Sequence, residues 1–178
     1  QSVVAGSEIT PGTLVDIWIS ATSASAFEMP DLSDEILNLA LNTLSDLAFE
    51  NVYVRYDTSS SAETGLVLAQ EPAAGTEVIT GTAIYLTVSG AKAYPYSADA
   101  AFNLDIGANG TPVLAILEDA YNGFAYNSIV YERTLEKGEK IPVSFTAFSE
   151  TEGVRELILL VGGKEEKRQE ILFSAKGA

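Results

Sequence analysis

An α+β module with one helix over a three-stranded sheet, followed by an all-β sandwich, is the fold class this sequence predicts. Three observations carry it. Ile36, Leu37, Ala40, Leu41, Leu44, Leu47 and Ala48 recur at helical spacing. The runs after that helix alternate with period two and are bounded by glycines. Residues 5–20 also align without a gap on residues 74–89, at an offset of 69 positions, with Ala, Gly, Glu, Gly, Thr and Ser repeated in place. Self-similarity in a chain this short indicates a modular array, and such arrays more often bind or space than catalyse. What precedes Gln70 has no counterpart before Gln1, so the chain reads as a fragment of a longer protein.

The helix is expected over roughly fifteen residues after Pro30, as three to four turns of amphipathic pattern imply, with Ser33 or Asp34 supplying the capping oxygen. Val52 to Tyr56 alternates as a strand, residues 57–64 form a polar loop, and strands follow at Leu66–Gln70 and Ala83–Ser89. The repeat also orients the last strand. Positions 15/84, 17/86 and 19/88 are apolar in both copies, which marks the core face, so Trp18 points away from the core of its own unit.

Beyond residue 91 the helical period disappears. Phe102 to Ile106, Val113–Leu117, Tyr126–Leu135, Ile141–Phe148, Val154–Val161 and Arg168–Phe173 read as strands. Asn122-Gly123, Lys137-Gly138, Glu152-Gly153 and Gly162-Gly163 mark the turns. Five or six short strands in this span predict a small antiparallel sandwich of immunoglobulin-like type. The expected division is a partial unit at 1–22, a complete α+β unit at 29–91 and the all-β domain at 101–178.

Composition narrows the chemistry. The 178 residues include no Cys and no His, which removes thiol nucleophiles, Ser-His triads and the commonest zinc ligands. The net charge is −15. Residues 1–91 hold twelve acids against the single cation Arg55, a net of −11, which would repel a phosphate backbone and excludes nucleic acid as a partner. Ser89-Gly90-Ala91-Lys92 matches the S-x-x-K nucleophile motif, but the further motifs of that enzyme class are absent, and a strand end running into a linker explains it. Glu118-Asp119 near Asn122-Gly123 lacks calcium-loop spacing and reads as a hairpin turn. No metal, cofactor or catalytic residue is expected.

Arg55 shares a strand face with Tyr53. A guanidinium beside an aromatic ring can hold a carboxylate by bidentate hydrogen bonds; the alternative is a surface ion pair with Asp57, two residues along. Trp18 is either a packing residue between modules or a stacking platform for a sugar or peptide.

From Met29 to Gly90 the chain resembles a PASTA domain, the repeat found outside the membrane in bacterial Ser/Thr kinases and some penicillin-binding proteins. The residues that carry the resemblance are Pro30-Asp31-Leu32, then Leu37, Ala40 and Leu44, then Gly65, Val67, Gln70, Pro72-Ala73-Ala74-Gly75-Thr76-Glu77-Val78, Gly81 and Val88-Ser89. Residues 1–20 resemble the final third of a preceding unit. Two positions depart from the family pattern: Ser33-Asp34-Glu35-Ile36 replaces the usual helix entry, and Ala48 stands where the family has the glycine that ends the helix. The C-terminal stretch resembles the all-β domain that follows PASTA arrays in some Firmicute kinases.

The resemblance implies a non-catalytic extracellular module of a membrane-anchored kinase. It would lie on the cell-wall side of a Gram-positive bacterium and engage peptidoglycan fragments or cell-wall precursors, with Arg55, Tyr53 and Trp18 as the ligand-binding candidates. The alternatives are a structural spacer or protein-interaction stalk, or the tail of a penicillin-binding protein. Val15, Ile17 and Ile19 lack a covering helix, so residues 1–20 are expected to pack on the following module, on another PASTA module or on a second copy.

Overall fold

The computed structural model describes residues 26–90, 96–138, 140–149 and 152–175. The partial unit at 1–22, with Trp18 and the Val15, Ile17 and Ile19 stripe, lies outside the described residues.

A two-residue strand β1 (Phe27–Glu28) leads to helix α1 (Leu37–Asp46), then β2 (Val52–Asp57), β3 (Val67–Glu71), β4 (Glu77–Val78) and β5 (Ile84–Ser89). The helix spans 10 residues, shorter than its periodicity suggests. Neither Ser33 nor Asp34 caps it. The N-cap is Ile36, with no side-chain hydrogen bond, and the Leu37 N–H donates instead to the Gly65 carbonyl at 2.8 Å. Asp34 and Glu35, just ahead of the helix, bond to Val67 (Asp34 N–H to Val67 O, Val67 N–H to Glu35 O), so this entry is stitched to β3 and leaves Ser33 and Asp34 three and two residues ahead of the N-cap position. The helix ends where Ala48 adopts φ +56°. The Phe49 N–H then closes on the Leu44 carbonyl, and the ring turns into the core.

Leu37, Ala40, Leu41 and Leu44 of α1 are buried against Val52, Val54, Val67, Ile84, Leu86 and Val88. The face read from the repeat at 84, 86 and 88 is therefore the core face. Gln70 ties the entry to the sheet: its Oε1 accepts from the Leu32 N–H at 2.7 Å, and its Nε2 donates to the Pro30 carbonyl at 2.9 Å.

Six strands follow: β6 (Tyr96–Asp105), β7 (Thr111–Tyr121), β8 (Phe124–Leu135), β9 (Lys140–Ser149), β10 (Gly153–Val161) and β11 (Lys164–Ala175). The first of these opens at Tyr96, ahead of residue 101. Asn122 and Gly123, both at positive φ (+50° and +82°), close the β7–β8 hairpin as a two-residue turn of type I′ character. The Glu118-Asp119 pair precedes this turn on β7.

The two halves are not separate sheets. Strand order runs β3-β5-β2-β8-β7-β10-β11-β6-β9, because β2 pairs in parallel with β8 through Tyr53↔Asn127 and Val54↔Ser128. Residues opposite one another point to the same side of a sheet, so the rows Val54, Ser128, Leu117, Leu157 share one face. On that inner face α1 covers the first half. In the second half Ala100, Phe102 and Ala147 of β6 and β9 share a core with Val113, Ala115, Leu117, Leu157, Leu159 and Phe173. The β6–β9 pair is bonded to β11 only at Ser97↔Ser174 and Tyr96↔Ala175, so it folds over as a second layer.

Candidate functional site

Alternation along β2 sends Val52 and Val54 inward and leaves Tyr53 and Arg55 on the opposite, outer face. Tyr85 on β5 lies beside Tyr53 in register, and the two rings stack with centroids 5.0 Å apart at 18°. The Arg55 guanidinium carbon sits 5.8 Å from the Tyr85 ring centroid, within cation–π range. Its Nη2 pairs with Glu132 on β8 at 3.2 Å. Asp57 is not the partner: its carboxylate instead accepts from the Ser59 hydroxyl and N–H at 2.6 and 2.8 Å, and these bonds hold its pKa below the usual carboxylate value. Burial, with the neighbouring Tyr85 second, pushes the Tyr53 hydroxyl above its ordinary value.

The Arg55–Glu132 pair is half-open to solvent, with side chains 37% and 44% exposed, so its Coulomb energy is strongly screened and the bond is exchangeable. The Arg55 Nε–H is buried and makes no hydrogen bond with any described residue. Arg55 is thus held against the Tyr85 ring with one half-exposed ion-pair partner. Of the candidates read from sequence, Arg55 and Tyr53 are brought together; Trp18 lies outside the described residues. Tyr85 and Glu132 were not legible as members. Tyr85 occupies a non-core position of the repeat, and Glu132 meets Arg55 only because β8 docks on β2.

On the inner face, at the junction of the halves, a cleft of about 370 Å³ is lined by Ile36, Leu37, Asn38, Tyr56, Thr64, Gly65, Ala120, Tyr121 and Tyr126. Its lining is aromatic and carries no carboxylate, lysine or arginine. Ser89 of the S-x-x-K match is buried; its hydroxyl donates to the Glu63 carbonyl and accepts from the Leu66 N–H at 3.0 Å. A hydroxyl committed to two backbone partners is a loop fastener, not a nucleophile.

The PASTA domain model matches residues 27–90. The chain is 41% identical over 85 residues to the probable serine/threonine-protein kinase PknB of Corynebacterium glutamicum, an alignment that takes in 47% of this chain and 13% of that protein. The chain thus spans about an eighth of that kinase's length. Among solved structures, the entire extracellular region of the Ser/Thr kinase PrkC from Staphylococcus aureus aligns with 83% of this chain and 51% of its own, at 20% identity and a TM-score of 0.35. Residues 27–90 of this chain are a PASTA domain, in a chain similar over its aligned half to a bacterial serine/threonine-protein kinase.

Proposed function

We propose that this chain is a non-catalytic extracellular module of a PASTA-bearing Ser/Thr kinase that engages peptidoglycan fragments, or cell-wall precursors, to regulate the kinase. The parent protein would be anchored in the plasma membrane of a Gram-positive bacterium with this region on the cell-wall side. Residues 1–22 would complete a preceding PASTA repeat, and residues 101–178 would form an immunoglobulin-like domain. The observation that carries the reading is the PASTA match over residues 27–90 in a chain related to a kinase. The placement of Arg55 over Tyr85, beside Tyr53, supports a site for the carboxylate of a stem peptide.

One charge-assisted bond contributes about 1.5–3 kcal/mol, so affinity from Arg55 alone is on the order of millimolar. A synthetic stem peptide titrated against the chain, followed by backbone NMR, should shift signals from Tyr53 to Arg55 and at Tyr85. Arg55→Ala should abolish those shifts, and Glu132→Gln should strengthen binding by freeing the guanidinium. Shifts that persist in Arg55→Ala would move the site elsewhere; no shifts in either parent or Glu132→Gln would leave the spacer reading. That second reading, a stalk that sets reach and contacts neighbours, is favoured by the nine-stranded sheet that runs through both modules.

A further inference from the structure

The inner-face cleft of about 370 Å³ is built by both modules. The PASTA domain supplies Asn38, Tyr56, Thr64 and Gly65, and the β7–β8 hairpin supplies Tyr121 and Tyr126. Tyr53 and Arg55 project from the opposite face of β2, so one small ligand does not touch both places. The volume lies at the low end of the range for small-molecule sites, about 300–1,000 Å³.

The PASTA wall of this cleft is held by backbone bonds. The Leu37 N–H donates to the Gly65 carbonyl at 2.8 Å, and the Gly65 N–H donates to the Ser89 carbonyl at 2.9 Å. Gly65 has φ +91°, and a Cβ added there would meet nothing within 4 Å, so this stretch of wall is bare backbone facing open space. Thr64 is pinned over Gly90, where an added Cβ would come within 2.8 Å of the Thr64 hydroxyl oxygen. The opposite wall is equally firm, with Tyr126 buried in the PASTA core and Tyr121 packed against that core.

The lining therefore offers three phenol rings, one amide and one aliphatic hydroxyl, and no group that can form an ion pair. Asn38 and Thr64 are exposed, and among the described residues their side chains make no hydrogen bond. A sugar ring matches this set. Its C–H face packs on tyrosine, and its hydroxyls exchange hydrogen bonds with neutral amides and hydroxyls. A charged ligand would give up its water here without gaining a counter-charge. A proline-rich segment also docks on aromatic residues, but it needs a long groove, because it extends by about 3.1 Å per residue.

We propose that this cleft binds an uncharged pyranose unit, which packs against Tyr121 and bonds to the Asn38 amide and the Thr64 hydroxyl. Because the walls come from both modules, the occupied site spans their junction. The proposal stands whether or not the Arg55 platform binds a cell-wall ligand.

The full chain, titrated separately with maltotriose, cellotriose and chitotriose and followed by backbone NMR, tests it. At least one of these sugars should shift Asn38, Gly65 and Tyr121 and leave Tyr53 and Arg55 unmoved. Asn38→Ala and Thr64→Val, both at exposed positions where the fold tolerates change, should each weaken that binding about five-fold. Arg55→Ala should leave it unchanged, which separates this site from the one tested with stem peptide. No shift with any of the three sugars would overturn the proposal, as would affinity unaltered in both Asn38→Ala and Thr64→Val. Shifts at the cleft with decaproline and with none of the sugars would assign it to a proline-rich partner and overturn it equally.

Discussion

Val54 of β2 and Ser128 of β8 lie opposite one another in parallel register, and that contact makes one sheet of a PASTA module and the all-β layer after it. The junction is reinforced from both sides. The Asn127 side-chain amide donates to the Val52 carbonyl at 3.3 Å, and Arg55 reaches across to Glu132 on the outer face. Next to Ser128, on the inner face, a polar cluster fills the space between the two cores. The Ser128 hydroxyl donates to Asp119 at 2.5 Å, Arg155 pairs with Asp119 at 2.7 Å, and the same guanidinium donates to the Ser149 hydroxyl at 3.0 Å and to the Glu118 carbonyl.

The Asp119–Arg155 pair is mostly withdrawn from water and fully engaged, which separates it from the exposed ion pairs of β11 such as Arg168–Glu165. A double-mutant cycle of Asp119→Ala and Arg155→Ala, measured by urea unfolding, should give a coupling of about 1.5–3 kcal/mol. A coupling near zero would place the pair with ordinary surface bridges.

Leu44 is fully buried beneath α1. Leu44→Ala should destabilise the chain by about 2–5 kcal/mol. Because the modules share a sheet, the far-ultraviolet signal and the tyrosine signals of the C-terminal half should move to the same lower midpoint. Two separated transitions would show that the ladder at Val54 and Ser128 does not couple them.

Ala48 holds a left-handed φ of +56° at the end of α1. An L-residue there carries about 1–2 kcal/mol of steric cost, against roughly 0.4–1 kcal/mol of extra chain entropy for glycine. Ala48→Gly should therefore raise stability by about 0.5–1 kcal/mol, read as a higher urea midpoint with unchanged slope.

The Tyr53 hydroxyl keeps its proton above the ordinary 10.0 because burial, and then the adjacent Tyr85, disfavour the phenolate. Folded chain thus holds a proton that unfolded chain releases. The associated stability is fully present below the unfolded value and falls as pH rises through the folded one. The urea midpoint, followed from about pH 9 to about pH 12, should fall less steeply in Tyr53→Phe than in the parent. Equal slopes would mean that Tyr53 titrates as it does in water.

Within the PASTA domain the order helix, strand, strand, strand was legible because each element carries its own period. The repeat resolved the buried side of β5, since Val15/Ile84, Ile17/Leu86 and Ile19/Val88 stay apolar in both copies. Gln70 was visible as a motif position, but its bonds to Leu32 and Pro30 were not. The helix cap was misread for a related reason. Ser33 and Asp34 have capping chemistry, yet the backbone bonds of Asp34 and Glu35 to Val67 settle where the first turn can begin. In the candidate site, Arg55 and Tyr53 stood out by charge and alternation, while Tyr85 and Glu132 did not.

What the sequence determined by itself is local: helical and strand periods, glycine turns such as Asn122-Gly123, the shortage of cations before residue 92, and a PASTA motif in which most positions serve turns and core. Tertiary structure alone decided that β8 adds to β2, that Arg55 pairs with Glu132 instead of Asp57, and that Asp119 and Arg155 meet between two cores. The physical reason is that alternation specifies which face a side chain takes but not which strand lies beside it. The choice of neighbour depends on the fit of whole faces, and residues 36 positions apart, like Asp119 and Arg155, leave no periodic trace of their contact.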